Sequence, residues 1–287
     1  MNSRDNSLFR FFYFAITILL LASVIATVIY ISIPLADDHS SDGSSSSQDS
    51  PTYRPGTDTT DFVSLLGQTQ DAGIAYQDKI MFFGESTTFH MIKRGVLSDG
   101  TATKQVIRPV DSTLTLIYFD IDNGQLISPS TGESTTFRGV IAAEKPAYLL
   151  LNFGINGLNY NVGMRGDNQK SYFLGQYQAL IDIVKSVSPQ TIIILQSVYP
   201  VADSADCETR FACTVAQANE RIDALNQSIM DLAQKNKIYY LNSSEIMKDK
   251  NGNLKAAYAE DITSDCMHLN DAGYQAVLSY IRTHSAQ

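Results

Sequence analysis

The sequence predicts an α/β fold, a three-layer α/β/α sandwich around a mostly parallel sheet, preceded by one apolar N-terminal segment. Short runs rich in Ile, Val, Leu, Phe and Tyr at residues 79–83, 147–153, 191–197 and 238–241 are each followed by a stretch of helical periodicity. These runs are apolar throughout instead of alternating, the pattern of strands buried on both faces. Strands that alternate with amphipathic helices build a parallel sheet covered on both sides, and its ligands sit at the carboxyl ends of the strands. Functional residues are therefore expected just after strands.

The helices are justified one by one. Over residues 214–234, Val215, Ala218, Ile222, Leu225, Ile229 and Leu232 recur at steps of three and four, and Thr214 with Gln217 fits a capping box at the start. Over residues 168–187, Phe173, Tyr177, Leu180, Val184 and Val187 share a face, and Ser188-Pro189 stops the helix. The last helix begins near Asn270. Residues 114–127 read differently, as a strand, an Asp122-Asn123-Gly124 turn and a second short strand, so a hairpin-like excursion is expected there.

Residues 11–36 carry no charge, and 11–30 are broken only by Thr17, Ser23 and Thr27. About 20 helical residues cover the ~30 Å hydrocarbon core of a bilayer, so this segment reads as a transmembrane signal anchor. A cleaved signal peptide is the competing reading; its apolar region is usually shorter, and Ile33-Pro34-Leu35-Ala36 is a poor small-x-small site. Arg4 and Arg10 precede the segment while Asp37, Asp38 and Asp42 follow it, which places residues 1–10 in the cytoplasm and the remainder outside. Residues 37–56 are Ser-, Asp-, Pro- and Gly-rich and read as a flexible stalk; residues 57–287 form the folded domain.

Composition removes several function classes. The 21 Lys+Arg against 30 Asp+Glu give a net charge of -9, and no long basic run exists to release counterions from nucleic acid or an anionic lipid surface. Three cysteines and four histidines are too few for a disulfide scaffold or a Cys-rich zinc module, and neither CxxC nor HExxH occurs. No cofactor or metal is expected.

The first strand ends in Gly84-Glu85-Ser86-Thr87-Thr88, glycine for a tight bend and a serine at the start of a helix, where unpaired N–H groups surround Oγ. Alone, such a serine is as readily a helix cap. A serine nucleophile needs a base. His39 lies in the stalk, His284 near the C-terminus, and His90 on the same helix as Ser86 with no carboxylate nearby in sequence. His268 lies in Asp265-Cys266-Met267-His268, where a carboxylate three residues ahead can accept Nδ1–H and leave Nε2 free to take the serine proton; the same spacing also serves helix capping. For oxyanion stabilisation the candidates are the amide in Gly154-Ile155-Asn156-Gly157 and the glycine N–H in Thr131-Gly132-Glu133-Ser134, before a helix expected over residues 135–143. The asparagine can equally close a turn.

Gly84-Glu85-Ser86, Thr131-Gly132-Glu133-Ser134, Gly154-Ile155-Asn156-Gly157 and Asp265-Cys266-Met267-His268, in that order and each at an expected strand end, resemble the four blocks of the SGNH/GDSL hydrolases. The resemblance spans nearly all of residues 79–283. It implies a flavodoxin-like α/β/α hydrolase that cleaves esters, with Ser86 as nucleophile, His268 as general base and Asp265 as its orienter. The N–H groups of Ser86 and Gly132 and the side chain of Asn156 would form the oxyanion hole. Two positions depart from the pattern: Glu85 stands where the family usually has Asp, and Gly157 where an Asp often follows the Asn. They bear on positioning and turn structure more than on reactivity.

The expected protein is then a membrane-anchored extracytoplasmic serine esterase whose substrate is an acylated surface glycan, with short acyl groups such as O-acetyl the first choice. Acyl transfer by the same triad, lipid ester cleavage and a non-catalytic surface-binding module are the alternatives. Of the cysteines, short separation favours a Cys207–Cys213 bridge over one to Cys266.

Overall fold

The computed structural model describes residues 62–110, 114–157 and 167–286. The chain divides into two units, Met1–Thr57 and Asp58–Gln287, and every described residue belongs to the second. The apolar segment 11–36 and the stalk 37–56 lie outside the described residues. No helix among the described residues is long and apolar enough to cross a membrane.

A single turn, α1 (Ile74–Gln77), precedes β1 (Ile80–Gly84), which leads into α2 (Ser86–Arg94). Next come β2 (Val106–Pro109), a 3-10 turn at Leu116–Tyr118, the short strands β3 (Leu126–Ile127) and β4 (Ser134–Thr135), and α3 (Phe137–Glu144). The chain continues through β5 (Tyr148–Asn152), α4 (Asp167–Val187), β6 (Ile192–Gln196), α5 (Ala205–Phe211), α6 (Val215–Asn236) and β7 (Tyr239–Leu241). It ends with α7 (Ser244–Met247), a ribbon of β8 (Ala259–Asp261) and β9 (Asp265–Leu269), and α8 (Asp271–Thr283).

The main sheet has the order β4-β3-β2-β1-β5-β6-β7. Strands β2, β1, β5, β6 and β7 run parallel, and β3 is antiparallel to both β2 and β4. The apolar runs dictate this burial: successive side chains of a strand point to opposite faces, so Met81 and Phe83 enter one core while Ile80 and Phe82 enter the other. The first core is closed by Phe137 of α3, Tyr177 of α4 and Ile222 of α6, the second by Met91 of α2 and Tyr274 and Val277 of α8. Phe83 stacks on Phe137 at 5.1 Å between centroids and meets Phe153 edge-on at 5.0 Å, so its truncation to alanine would cost about 3–5 kcal/mol.

The chain steps from β1 outward to β2 and returns to β5 on the other side of β1. That reversal leaves a crevice between the carboxyl ends of β1 and β5, the position where doubly wound sheets hold ligands. The turn after β6 is fixed next to it by two buried asparagines on one face of α6. Asn226 accepts from the N–H of Val198 at 2.7 Å and donates to its carbonyl at 2.9 Å. Asn219 treats Val201 in the same way, at 2.8 and 3.1 Å. The capping box of Thr214 and Gln217 opens α6 as its sequence requires.

The hairpin expected over residues 114–127 does not form. Leu114 and the 3-10 turn are not in the sheet, Asp120 instead accepts from the N–H groups of Asp122 and Asn123 at 3.1 Å each, and the true hairpin joins β3 to β4 one turn later. An Asp-initiated turn satisfies its own backbone without needing a partner strand, which is why the Asp-Asn-Gly signal misled.

Candidate active site

Ser86 is the first residue of α2 and sits at the carboxyl end of β1, level with the end of β5 through the Gly84–Asn152 pairing. A Cβ on Gly84 would collide with the carbonyl oxygen of Asn152, so only glycine lets the two strand ends approach this closely. The carbonyl of Glu85 accepts the first helical bonds, from Thr88 at 3.0 Å and Phe89 at 3.1 Å. The N–H groups of Ser86 and Thr87 therefore precede the ladder of the helix, on its positive end.

Ser86, His268 and Asp265 form one hydrogen-bonded chain. Ser86 Oγ lies 2.9 Å from His268 Nε2, and His268 Nδ1 lies 2.5 Å from Asp265 Oδ2. The other carboxylate oxygen of Asp265 accepts from the N–H of Met267 at 2.9 Å and of His268 at 3.0 Å. Burial pulls this carboxyl upward, but the ring N–H of His268 and these two backbone donors outweigh it and hold Asp265 well below the usual carboxylate range. With an ionised acceptor on Nδ1, the neutral imidazole presents a bare Nε2 to the serine hydroxyl, so the arrangement can draw the proton from Ser86. The segment is strand β9, paired with β8. A strand carries Asp265 and His268 on an extended backbone, yet the Asp265 side chain still bends back onto the ring.

His90 has a different place. Its ring stacks on that of His268, with centroids 4.4 Å apart and planes 28° apart. Burial first, and then the neighbouring His268, lower its pKa. Arg94 ties the same face together through Glu260 at 2.6 Å and Asp271 at 2.8 Å. Donor atoms of His90, Glu260 and His268 lie within 4.8 Å of one another. Both ring nitrogens of His268 are already engaged and the two rings lie face to face, so they cannot point their lone pairs at a common ion without turning.

Asn156 lies on the turn after β5, and its side-chain amide donates to the carbonyl of Leu114 at 3.2 Å. One of its two amide hydrogens is used in this way, which leaves the second for another acceptor. Glu85, which the sequence marked only as a departure from a pattern, turns out to be 2% exposed with its carboxylate bonded to the same turn. Its neighbours Thr87, Asn152 and Tyr274 are also in place: Tyr274 donates to Thr87 O at 2.7 Å, and Asn152 spans from Thr87 Oγ1 to Ser197 O at 3.3 and 3.0 Å.

Two expectations are corrected. Gly132 is not at a helix start but in the exposed turn between β3 and β4, and its N–H is spent on the carbonyl of Ser128 at 2.8 Å. Because β3 runs antiparallel to β2, the turn beyond it lies toward the opposite end of the sheet from Ser86. Helix α3 is instead capped by Thr136, whose side chain accepts from Gly139 N. The favoured Cys207–Cys213 pair is likewise absent. Helix α5 occupies most of the interval, turning the buried Cys207 toward the buried Cys266 of β9, with which its thiol is hydrogen-bonded, while Cys213 lies beyond the end of the helix. All three are free thiols. Under oxidising conditions a disulfide is expected between Cys207 and Cys266. Non-reducing peptide mapping decides the point: a Cys207–Cys213 link, or three freely alkylated thiols, would defeat this expectation.

The solved structures that resemble this chain include a GDSL-like lipase from Bacteroides thetaiotaomicron VPI-5482, at 20% identity and TM-score 0.49, covering 72% of this chain and 87% of that one. A carbohydrate esterase family 3 protein from Talaromyces cellulolyticus aligns at 16% identity and TM-score 0.42, over 71% and 93% of the two chains. A catalytic mutant of an acetylxylan esterase from Geobacillus stearothermophilus aligns at 15% and 0.37, over 72% and 94%. No curated protein matches the chain. The sequence model of the GDSL-like Lipase/Acylhydrolase family matches residues 122–276, more than half of the chain and including Asn156, Asp265 and His268. With a serine, a histidine and an aspartate hydrogen-bonded at the carboxyl edge of a parallel sheet, this chain belongs to the GDSL-like lipase/acylhydrolase family and is a serine hydrolase of the SGNH type.

Proposed function

We propose that the protein is a membrane-anchored, extracytoplasmic esterase that removes O-acetyl or other short acyl groups from cell-envelope glycans through a Ser86 acyl-enzyme. The chain of hydrogen bonds from Ser86 through His268 to Asp265 carries this reading. Ser86 Oγ attacks the ester carbonyl while its proton passes to His268 Nε2. The developing oxyanion is held by the N–H of Ser86 and the side-chain amide of Asn156. Collapse expels the sugar hydroxyl, protonated by His268, and a water activated by the same nitrogen then frees the acid. Asp265 stays ionised throughout and steadies the imidazolium.

The short acyl group follows from the proposed location, since a domain tethered at the envelope meets O-acetylated surface glycans. A small void lined by Thr87, Asn152, Phe153, Ile155, Val198, Tyr199 and Met267 measures about 10 Å³, room for a group the size of a water. The full-length protein in detergent is expected to hydrolyse p-nitrophenyl acetate with the highest kcat/KM and to lose activity steadily through butyrate to octanoate. A preference for octanoate would overturn the short-acyl assignment. The location rests on the charge-free segment 11–36 between Arg10 and Asp37. Protease added to intact protoplasts should release the domain by cutting within residues 37–56, and protection until lysis would reverse the orientation.

A further inference from the structure

We propose that Glu85 is a positioning residue for the reaction of Ser86, its carboxylate holding the turn that carries Asn156 against the start of α2. The proposal builds on the esterase reading and concerns the same site. Glu85 sits between the end of β1 and Ser86, so its backbone and that of the nucleophile move together. Its N–H donates to Asn152 O at 3.3 Å, and its side chain crosses to the next turn, where Oε2 accepts the N–H of Gly154 at 3.2 Å and of Asn156 at 3.0 Å. One carboxyl oxygen thus joins the residue before the nucleophile to Asn156, the residue proposed above as an oxyanion donor.

The turn it holds is itself under constraint. Gly154 has φ +141, and a Cβ there would meet Val198 at 2.8 Å and Leu225 at 2.9 Å, so the turn is pressed against the turn after β6 and against α6, and its N–H groups are aimed at Glu85. Aspartate, one methylene shorter by about 1.5 Å, would not span the same gap from the same backbone position. The second oxygen, Oε1, is buried without a hydrogen-bond partner. Burial raises the carboxyl to about 7, against the lowering effect of the N–H groups of Asn156, Gly154, Ile155 and Leu116. From α4 the phenol of Tyr177 is coupled to it, itself neutral across the working range because burial raises it strongly. A carboxylate accepts these N–H groups more strongly than the neutral acid does, so the grip on the turn tightens as pH rises through neutrality.

The test uses the full-length protein and p-nitrophenyl acetate. Glu85→Gln keeps an acceptor oxygen but cannot ionise, so the acid limb of log kcat against pH should lose one ionisation relative to wild type. Glu85→Asp should lower kcat by roughly 10- to 100-fold with KM changed less than threefold, a part of the ~10²–10³ that complete loss of one oxyanion donor costs. Thermal unfolding of each variant separates this from misfolding, and if Glu85→Asp does not fold, the Glu85→Gln profile decides alone. A Glu85→Gln profile that superimposes on wild type would overturn the proposal. Failure of the Ser86 assignment is a distinct result, since it shows as activity retained by Ser86→Ala.

Discussion

Ser86→Ala is expected to lower turnover of an ester substrate by on the order of 10⁴-fold or more, and His268→Ala by a similar factor, with no further loss in the double variant. The reason is geometric. The hydroxyl and the ring nitrogen are 2.9 Å apart and exchange one proton, so removing either partner disables the same step. A residual rate above water is expected from the oxyanion donors alone. His90→Ala should keep most of the activity, because His90 supports the His268 ring by stacking and does not reach the serine in the hydrogen-bonded chain. Steady-state kinetics on folded variants check all three. Abolished turnover in His90→Ala together with an active His268→Ala would transfer the role of base to His90.

Asp265→Asn is the second large effect, expected at roughly 10⁴-fold in kcat with little change in fold. An amide in place of the carboxylate can offer its NH₂ to Nδ1, which favours the tautomer with the proton on Nε2 and leaves no base facing Ser86. The same carboxyl sets a pH dependence of stability. Its folded pKa is depressed, so its contribution is fully present above the unfolded value of about 3.9 and is lost as pH falls through the lower folded value. Across pH 5 to 8 the group should contribute a constant amount. Thermal unfolding midpoints below pH 4 should therefore fall more steeply in wild type than in Asp265→Asn, and parallel curves would show that the carboxylate has no privileged hydrogen bonds.

Much of the fold was legible because it depends on local rules. Four largely apolar runs, too short for helices, are best satisfied by a sheet covered on both faces, and β5, β6 and β7 fall within those runs while β1 exceeds its run by one residue. The capping box at Thr214 and the stop at Ser188-Pro189 set the bounds of α6 and α4 to within two residues. Asp265 and His268 are three residues apart, so their meeting is also a local matter, and Ser86 follows the end of β1, where Gly84 lets the ends of β1 and β5 approach.

What the tertiary structure alone decided are the contacts between distant segments. Whether the N–H of Gly132 faces a substrate or closes a hairpin depends on the two-residue strand β3 running antiparallel to β2, a pairing too short to register in any hydrophobic pattern. Cys207 meets Cys266, 59 residues on, because α5 turns one face toward β9, whereas sequence distance favoured the nearer Cys213. The carboxyl of Glu85 and the N–H groups of Gly154 and Asn156 lie about 70 residues apart, and nothing in either segment marks them as partners. Periodicity and turn chemistry specify elements because they act within a few residues of chain; the hydrogen-bond partners of a buried polar group are chosen by whichever backbone the packed core brings within 3 Å.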